Sequence, residues 1–216
     1  AKRLDAVFVS YSTDYVFDGA ATEPYTEQSE PNPLGAYGRT KLAGDEAVAG
    51  LGGAFLVFRT SWVYGARGRN FYLTMLRLAA EGKPIRVVGD QIGAPTWSRA
   101  IAEATAQVLA RRNSSESLFE SVAEVSGIYN LVSAGQTSWF DFAREIFARA
   151  GTNTQVSSIT TDQYPTPARR PRYSVLSTEK LARTFGIYMP HWKESLAQVC
   201  ASGSSNTSAT SPSPAN

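Results

Sequence analysis

A tyrosine and a lysine one helical turn apart, Tyr37 and Lys41, follow a Ser12-Thr13 pair that closes a short apolar run. These are the parts needed to give a proton to a carbonyl oxygen while hydride reaches its carbon. Free tyrosine ionises at a pH of about 10 and is a poor acid at neutrality, but a neighbouring ammonium stabilises the phenolate and lowers that value. On a helix, residues four apart lie on one face, so Tyr37 and Lys41 can converge on one cleft. Tuned in this way, Tyr37 can protonate the alkoxide that forms. Thr13 can hold the same oxygen by a hydrogen bond. Lys41 has a second use on the hydroxyls of a cofactor ribose. The spacing alone is a weak signal, since surface helices also carry an aromatic and a charge; its position between two strand-like runs makes it informative.

Those runs must position the pair. Ala6 to Tyr11 reads as a short buried strand. Asp18 to Pro33, with its Pro, Gly and acidic residues, reads as a surface loop. From Ala36 the pattern turns helical, with Leu42, Ala43, Ala47 and Val48 on one side and Gly50-Leu51-Gly52-Gly53 as a stop. Ala54 to Thr60 is the next buried strand. Strand, helix, strand is the unit of a doubly wound parallel sheet, which takes its ligands at the strand ends, where Thr13 lies.

Further along, Phe71, Met75, Leu76, Leu78 and Ala79 mark a helix that Gly82-Lys83-Pro84 stops, and Ile85 to Val88 a strand. Gly89 to Trp97 reads as a loop, after which Ser98 is expected to cap a helix running towards Arg111 with Arg99 and Glu103 on its polar face. Gly127 to Val132 is a strand and Ser138 to Ala150 an amphipathic helix; Thr178 to Phe185 and Trp192 to Val199 are two last short helices. The sum is an α/β body without an internal repeat.

Composition narrows the function classes. The net charge of +2 is mild, and the basic residues are scattered except at Ala168-Arg169-Arg170-Pro171-Arg172, so the stripe that counters nucleic-acid phosphates is missing. No nucleic-acid partner is expected. The single Cys200 and single His191 leave no internal disulfide, no Cys/His metal cluster and no histidine triad. No metal is expected. No apolar run approaches the roughly 20 residues of a membrane helix, and Ala1 to Asp5 leads straight into Ala6-Val7-Phe8-Val9 without a signal-peptide core. These features predict a soluble cytoplasmic protein with no membrane partner. Ala201 to Asn216 is uncharged and lacks large apolar side chains, so residues 201–216 are expected to be a disordered tail.

Six ordered blocks carry a resemblance. They are Ser12-Thr13-Asp14-Tyr15-Val16-Phe17-Asp18-Gly19; Pro33-Leu34-Gly35-Ala36-Tyr37-Gly38-Arg39-Thr40-Lys41; Arg59-Thr60-Ser61-Trp62-Val63-Tyr64-Gly65, with Asn70-Phe71 after it; Asp90-Gln91-Ile92-Gly93-Ala94-Pro95-Thr96; Gly127-Ile128-Tyr129-Asn130-Leu131; and Tyr164-Pro165-Thr166-Pro167-Ala168-Arg169-Arg170-Pro171, with Ser174-Val175-Leu176 after it. Together they resemble the extended short-chain dehydrogenase/reductase superfamily and, within it, the dTDP-4-dehydrorhamnose reductase family. The resemblance implies an α/β fold: the C-terminal part of a Rossmann-like doubly wound parallel sheet plus a smaller α/β substrate-binding region. It implies reduction of the C4 ketone of dTDP-4-dehydro-6-deoxy-L-mannose with NADPH or NADH, giving dTDP-L-rhamnose. A dTDP-sugar is then the small-molecule partner, and a homodimer is compatible with the family.

In that reading Tyr37 is the proton donor, Lys41 holds the cofactor and tunes the phenol, and Thr13 is the hydroxyl at the reacting centre. Tyr11 lies near the nicotinamide half of the cofactor. Thr13 and Asp14 contact the sugar and Trp62 packs on it, an aromatic face suiting apolar sugar C–H groups. Asn70, Gln91 and Thr96 bond nucleotide or sugar groups, with turn and cap roles as the alternative. Arg169 and Arg170 clamp a diphosphate or form a basic turn. His191 and Cys200 receive no chemistry. Two other readings stay open: a different reductase, epimerase or dehydratase of nucleotide sugars, or a non-catalytic regulatory subunit of the same fold.

One part of the pattern departs. A complete member opens with a Gly-x-x-Gly-x-x-Gly turn that receives the cofactor pyrophosphate, and no such turn occurs here. Three strand-helix units of roughly 30 residues each, about 90 residues in all, are therefore expected ahead of Ala1. Residues 1–66 are expected to be the remainder of the NAD(P)-binding domain and 67–200 the substrate-binding region interleaved with late sheet elements. The strands of Val7 and Val57 are expected to expose a face.

Overall fold

The computed structural model describes residues 1–113 and 117–204, side chains at 202–204 excepted. Its centre is a parallel three-stranded sheet of β1 (Phe8–Thr13), β2 (Phe55–Thr60) and a later strand at Gly127–Asn130, in the spatial order in which they are named. Helix α1 (Ala36–Leu51) connects β1 to β2, completing the expected strand-helix-strand unit. β2 lies in the middle and all of its residues are buried. β1 has one strand neighbour, and Phe8 and Tyr11 are more than two-fifths exposed. None of the residues of the expected buried strand, Ala6 to Tyr11, is buried, burial beginning at Ser12-Thr13, whereas Val57, on a strand expected to expose a face, is fully buried.

α1 also departs from its pattern. Ala43 and Ala47 face solvent, and the buried positions are Gly38 and Asp45. Gly38 lets the helix lie directly on the 3-10 turn Asp14–Val16: a Cβ there would come within 2.1 Å of the Tyr15 carbonyl oxygen. Asp45 is held inside by Arg59 of β2, with Nε to Oδ2 at 3.2 Å, and by the Ser12 hydroxyl of β1 at 2.8 Å. A polar clamp, not an apolar stripe, fixes this helix to the sheet.

The chain then runs through β3 (Val63–Tyr64), α2 (Phe71–Ala80), β4 (Ile85–Val88), β5 (Ile92–Gly93), β6 (Thr96–Trp97), α3 (Ser98–Arg112), α4 (Leu118–Ala123), β7 (the Gly127–Asn130 strand), β8 (Thr137–Ser138), α5 (Trp139–Arg149), β9 (Val156–Ile159), α6 (Glu179–Phe185) and α7 (Trp192–Ser204). β3 pairs with β6 and β4 with β9 in parallel, whereas β5 pairs with β8 antiparallel. The short strands within the expected 89–97 loop, together with α4 and β9, carry little periodicity and were not legible. Ser98 is the first helical residue of α3 and caps nothing; Trp97 occupies the cap position. Arg99 and Glu103 do pair on the surface, at 2.7 Å.

Successive side chains of β1 point to opposite faces of the sheet. Ser12 meets Asp45 of α1, while the Tyr11 hydroxyl bonds Thr105 of α3 at 2.9 Å. Helices thus cover both faces, as a doubly wound sheet requires. α7 continues to Ser204, so the first four residues of the expected tail are helical. Residues 205–216 of that tail lie outside the described residues. No helix among the described residues is long and apolar enough to cross a membrane.

Candidate active site

β1 and β2 run parallel with Thr13 beside Thr60, so both strands deliver their C-terminal ends to one place. A cavity of about 620 Å³ opens there. Thr13, Asp14, Tyr15 and Tyr37 form one side, and Ser61 and Trp62 continue from β2. α2, β4, Gln91, Trp139, Tyr164 and Arg170 form the opposite side. The sheet end therefore supplies hydroxyl, phenol and carboxyl groups, and the α2/β4/α5 layer supplies the apolar wall.

Tyr37 sits in the first turn of α1, 58% exposed, with its ring edge-on to Tyr15 at 6.1 Å between centroids. Its hydroxyl makes no hydrogen bond among the described residues. Lys41 does not line the cavity; its ammonium donates to the Tyr11 carbonyl at the rim of β1 and retains two further N–H donors. The Tyr11 ring is not brought to the cavity: its hydroxyl bonds Thr105 and its face lies 6.1 Å from Phe58. In strand geometry the carbonyl serving Lys41 and the ring on the α3 side are compatible, and only the first belongs to the site.

Thr13 is buried, and its hydroxyl has two local partners. Oγ1 accepts the Tyr15 N–H at 3.2 Å, capping the 3-10 turn, and donates to Asp14 Oδ1 at 3.0 Å. Asp14 is 2% exposed, and its Oδ2 has no hydrogen-bond partner. Burial pushes its ionisation up to about 7, and hydrogen bonding to Ser174 and Thr13 offsets only part of that rise. Tyr15 is likewise raised, by burial first and by the Asp14 charge second.

Trp62 stacks on Trp139 with centroids 3.5 Å apart and planes 6° from parallel. Its backbone has φ 46°, a left-handed conformation uncommon for a bulky residue and met where surroundings over-determine it. Gly93 is part of that enforcement, because a Cβ there would come within 2.5 Å of the indole. Trp139, at the start of α5, is a cavity residue that sequence reasoning missed; no local signal brings two residues so far apart in sequence together. Tyr15, Tyr164 and Ser61 were missed for the same reason.

Gln91 is buried in the cavity wall, its amide donating to Thr161 Oγ1 at 3.1 Å. Arg169 lies in the wall of an adjoining cavity of about 670 Å³, which shares Gln91, Tyr164 and Arg170 with the first. Two expected ligand residues drop out of the site. Asn70 caps α2, its Oδ1 accepting from Leu73 N–H at 3.1 Å and its Nδ2 donating to the Gly65 and Arg67 carbonyls, which engages both amide N–H donors. Thr96 is fully buried, donating to the Ala94 carbonyl and accepting from Ser133 N–H.

Residues 1–204 match the family model described as the RmlD substrate binding domain. The chain is 49% identical over 200 residues to a dTDP-4-dehydrorhamnose reductase of Burkholderia thailandensis, covering 89% of this chain and 66% of that protein. Among solved structures it is similar to a dTDP-4-dehydrorhamnose reductase from Clostridium acetobutylicum, with TM-score 0.80 and 40% identity over 89% of this chain and 64% of that one. A second, from Bacillus anthracis and in complex with NADP, gives TM-score 0.82 and 35% identity over 93% and 67%. The chain thus spans about two-thirds of the length of the relatives it matches.

Proposed function

Because this chain belongs to the RmlD substrate binding domain family, we propose that the polypeptide carrying it reduces the C4 ketone of dTDP-4-dehydro-6-deoxy-L-mannose to dTDP-L-rhamnose, using NADPH or NADH. The observation that carries the reading is the convergence of Thr13 and Tyr37 on one cavity that the Trp62–Trp139 stack also lines.

Hydride for the sugar C4 comes from the reduced nicotinamide when it is bound. The fit of this chain to such a cofactor rests on the nicotinamide-ribose half: the Lys41 ammonium has two donors left at the strand rim, and Tyr37 presents an unengaged hydroxyl. As C4 gains hydride its oxygen becomes an alkoxide, and Tyr37 gives that oxygen the phenol proton. The Lys41 ammonium, one helical turn away, holds the cofactor ribose, and solvent reprotonates the phenolate left behind. Thr13 supplies a hydrogen bond to the same oxygen. The indole of Trp62 offers an apolar face to sugar C–H groups. Gln91 orients sugar hydroxyls, and Arg169 and Arg170, in the adjoining cavity, suit a diphosphate by forked N–H donation.

In this scheme residues 1–66 carry the cofactor-side groups and residues 67–200 most of the sugar-side wall. We assign the reaction to the cytoplasm, where nucleotide sugars and reduced nicotinamides are held, with a dTDP-sugar as the partner molecule.

The test is turnover by the full-length polypeptide. Mixed with dTDP-4-dehydro-6-deoxy-L-mannose and NADPH, it is expected to consume the nicotinamide absorbance, and Tyr37→Phe is expected to lose at least about 100-fold in kcat while still binding substrate. Turnover of a different nucleotide sugar with none of this one would overturn the assignment.

A further inference from the structure

Thr13 has one proton to give and, as it stands, gives it away. A threonine hydroxyl has a single O–H donor and two acceptor lone pairs. One lone pair takes the Tyr15 N–H at 3.2 Å, and the O–H is directed to Asp14 Oδ1 at 3.0 Å. With Asp14 ionised, Thr13 has nothing left to donate to an oxygen in the cavity, although donation to that oxygen is what the reaction asks of it.

The bond between the two side chains has a second polarity. A neutral Asp14 can place its O–H on the shared oxygen and donate to Thr13 Oγ1, which frees the Thr13 proton to point into the cavity. The surroundings favour this form. Asp14 is 2% exposed and forms no ion pair among the described residues, and the hydrogen bonds from Thr13, Ser174 and local N–H groups do not offset its burial. A buried carboxylate without a counter-charge is costly, and a neutral carboxyl is much less so.

We propose that Asp14 is a positioning residue that keeps its proton in the working site and donates it to Thr13 Oγ1, turning the Thr13 hydroxyl into a donor towards the substrate oxygen. The inference rests on the ketone-reducing reading above. The proton on Asp14 is not consumed: hydride enters C4, the Tyr37 proton reaches the oxygen, and Asp14 and Thr13 end as they began.

The groups around Asp14 leave it this freedom. Tyr15 beside it has its ionisation raised by burial and stays a neutral phenol, Tyr37 of α1 faces the same cavity, and Ser174 contributes a hydroxyl. Arg170 lines the same cavity and acts on Tyr15. Two charges of the neighbouring elements are engaged elsewhere: Arg59 of β2 with Asp45 of α1, and Lys41 with the Tyr11 carbonyl. The raised ionisation of Asp14, to about 7, agrees with a carboxyl that is neutral over the lower half of the working range.

The test combines a pH profile with a direct view of the carboxyl, both on the full-length polypeptide. In the wild type, kcat/KM for ketone reduction is expected to fall about tenfold per pH unit above the Asp14 midpoint, because only the neutral fraction is competent. Asp14→Asn, which cannot ionise, is expected to lose that limb and to retain at least about a tenth of the wild-type value at pH 6. An Asp14→Asn enzyme with the same alkaline limb, or one as inactive at every pH as Thr13→Val, would overturn the proposal. Infrared difference spectra of wild type minus Asp14→Asn should contain a carboxylic-acid band at pH 6 that disappears by pH 9; its absence at pH 6 would also overturn it. Failure of the reductase reading has a separate signature, no turnover by any variant, and the infrared titration then still decides the proton on Asp14.

Discussion

Two aspartates are buried within a few residues of the same strand end, and they live under opposite rules. Asp45 of α1 is 4% exposed and paired with a counter-charge, with Arg59 at 3.2 Å and the Ser12 hydroxyl at 2.8 Å on one oxygen. Asp14 is 2% exposed and has only neutral hydrogen-bond partners, the Thr13 and Ser174 hydroxyls and local N–H groups, with no counter-charge among the described residues. Burial of a charge is tolerated when a partner of opposite sign and good hydrogen bonds accompany it. The first aspartate satisfies that condition and serves as a fastener, tying α1, and with it Tyr37 and Lys41, to both strands. The second lacks it and instead titrates near neutrality, as groups do at reactive sites. The comparison separates what positions the site from what works in it.

The harshest way to break the comparison is to make Asp45 resemble Asp14. Arg59→Met removes the paired charge but keeps an apolar stem against Phe17, over whose ring the guanidinium lies at 5.3 Å. It should cost about 3–5 kcal/mol at pH 7, read from denaturant midpoints, because Asp45 is left buried with only Ser12. The loss should shrink at acid pH, where the stranded carboxyl can take up a proton. An unchanged midpoint would mean that the pair holds nothing.

The reverse manipulation is smaller and has a pH signature. Asp14 has its ionisation raised from the ordinary 3.8 to about 7 by burial, so the folded state holds this proton more tightly than the unfolded one. Stability from this group is therefore fully present below about pH 4 and is lost as pH rises through about 7. Asp14→Asn removes that loss. It should be about 4 kcal/mol more stable than wild type at pH 8 and little different at pH 4, by thermal or denaturant unfolding at the two pH values. Equal stability at pH 8 would make Asp14 an ordinary, solvated carboxylate.

How far the sequence disclosed this arrangement follows from range. The strand-helix-strand core was legible because β2 is a continuous apolar run and α1 has a glycine stop at Gly52. Tyr37 and Thr13 were legible because their relation is set by one helix and one strand. The inward face of α1 was misread, because its anchor is an aspartate whose partner Arg59 lies on another element, and apolar periodicity is blind to such a clamp. In the sequence Asn70 stands between a ligand and a cap role because the two look alike until the helix start is known. The Trp62–Trp139 stack and the burial of Asp14 depend on contacts between segments far apart in sequence, which single-sequence reasoning does not reach.

The finest test of the two-aspartate comparison is Ser12→Ala. Ser12 lines the cavity one residue before Thr13, yet its hydroxyl turns to the other aspartate, donating to Asp45 Oδ2. Removing it takes one hydrogen bond from a carboxylate that keeps its arginine, which should cost about 1.5 kcal/mol, at the low end for bonds to charged groups. Because the Thr13–Asp14 bond is untouched, the alkaline limb of kcat/KM should stay where it is in the wild type while the denaturant midpoint falls. A limb that moved with Ser12→Ala would mean that the two carboxyls share one hydrogen-bonded network across β1, and that the fastener and the reactive group are not separable.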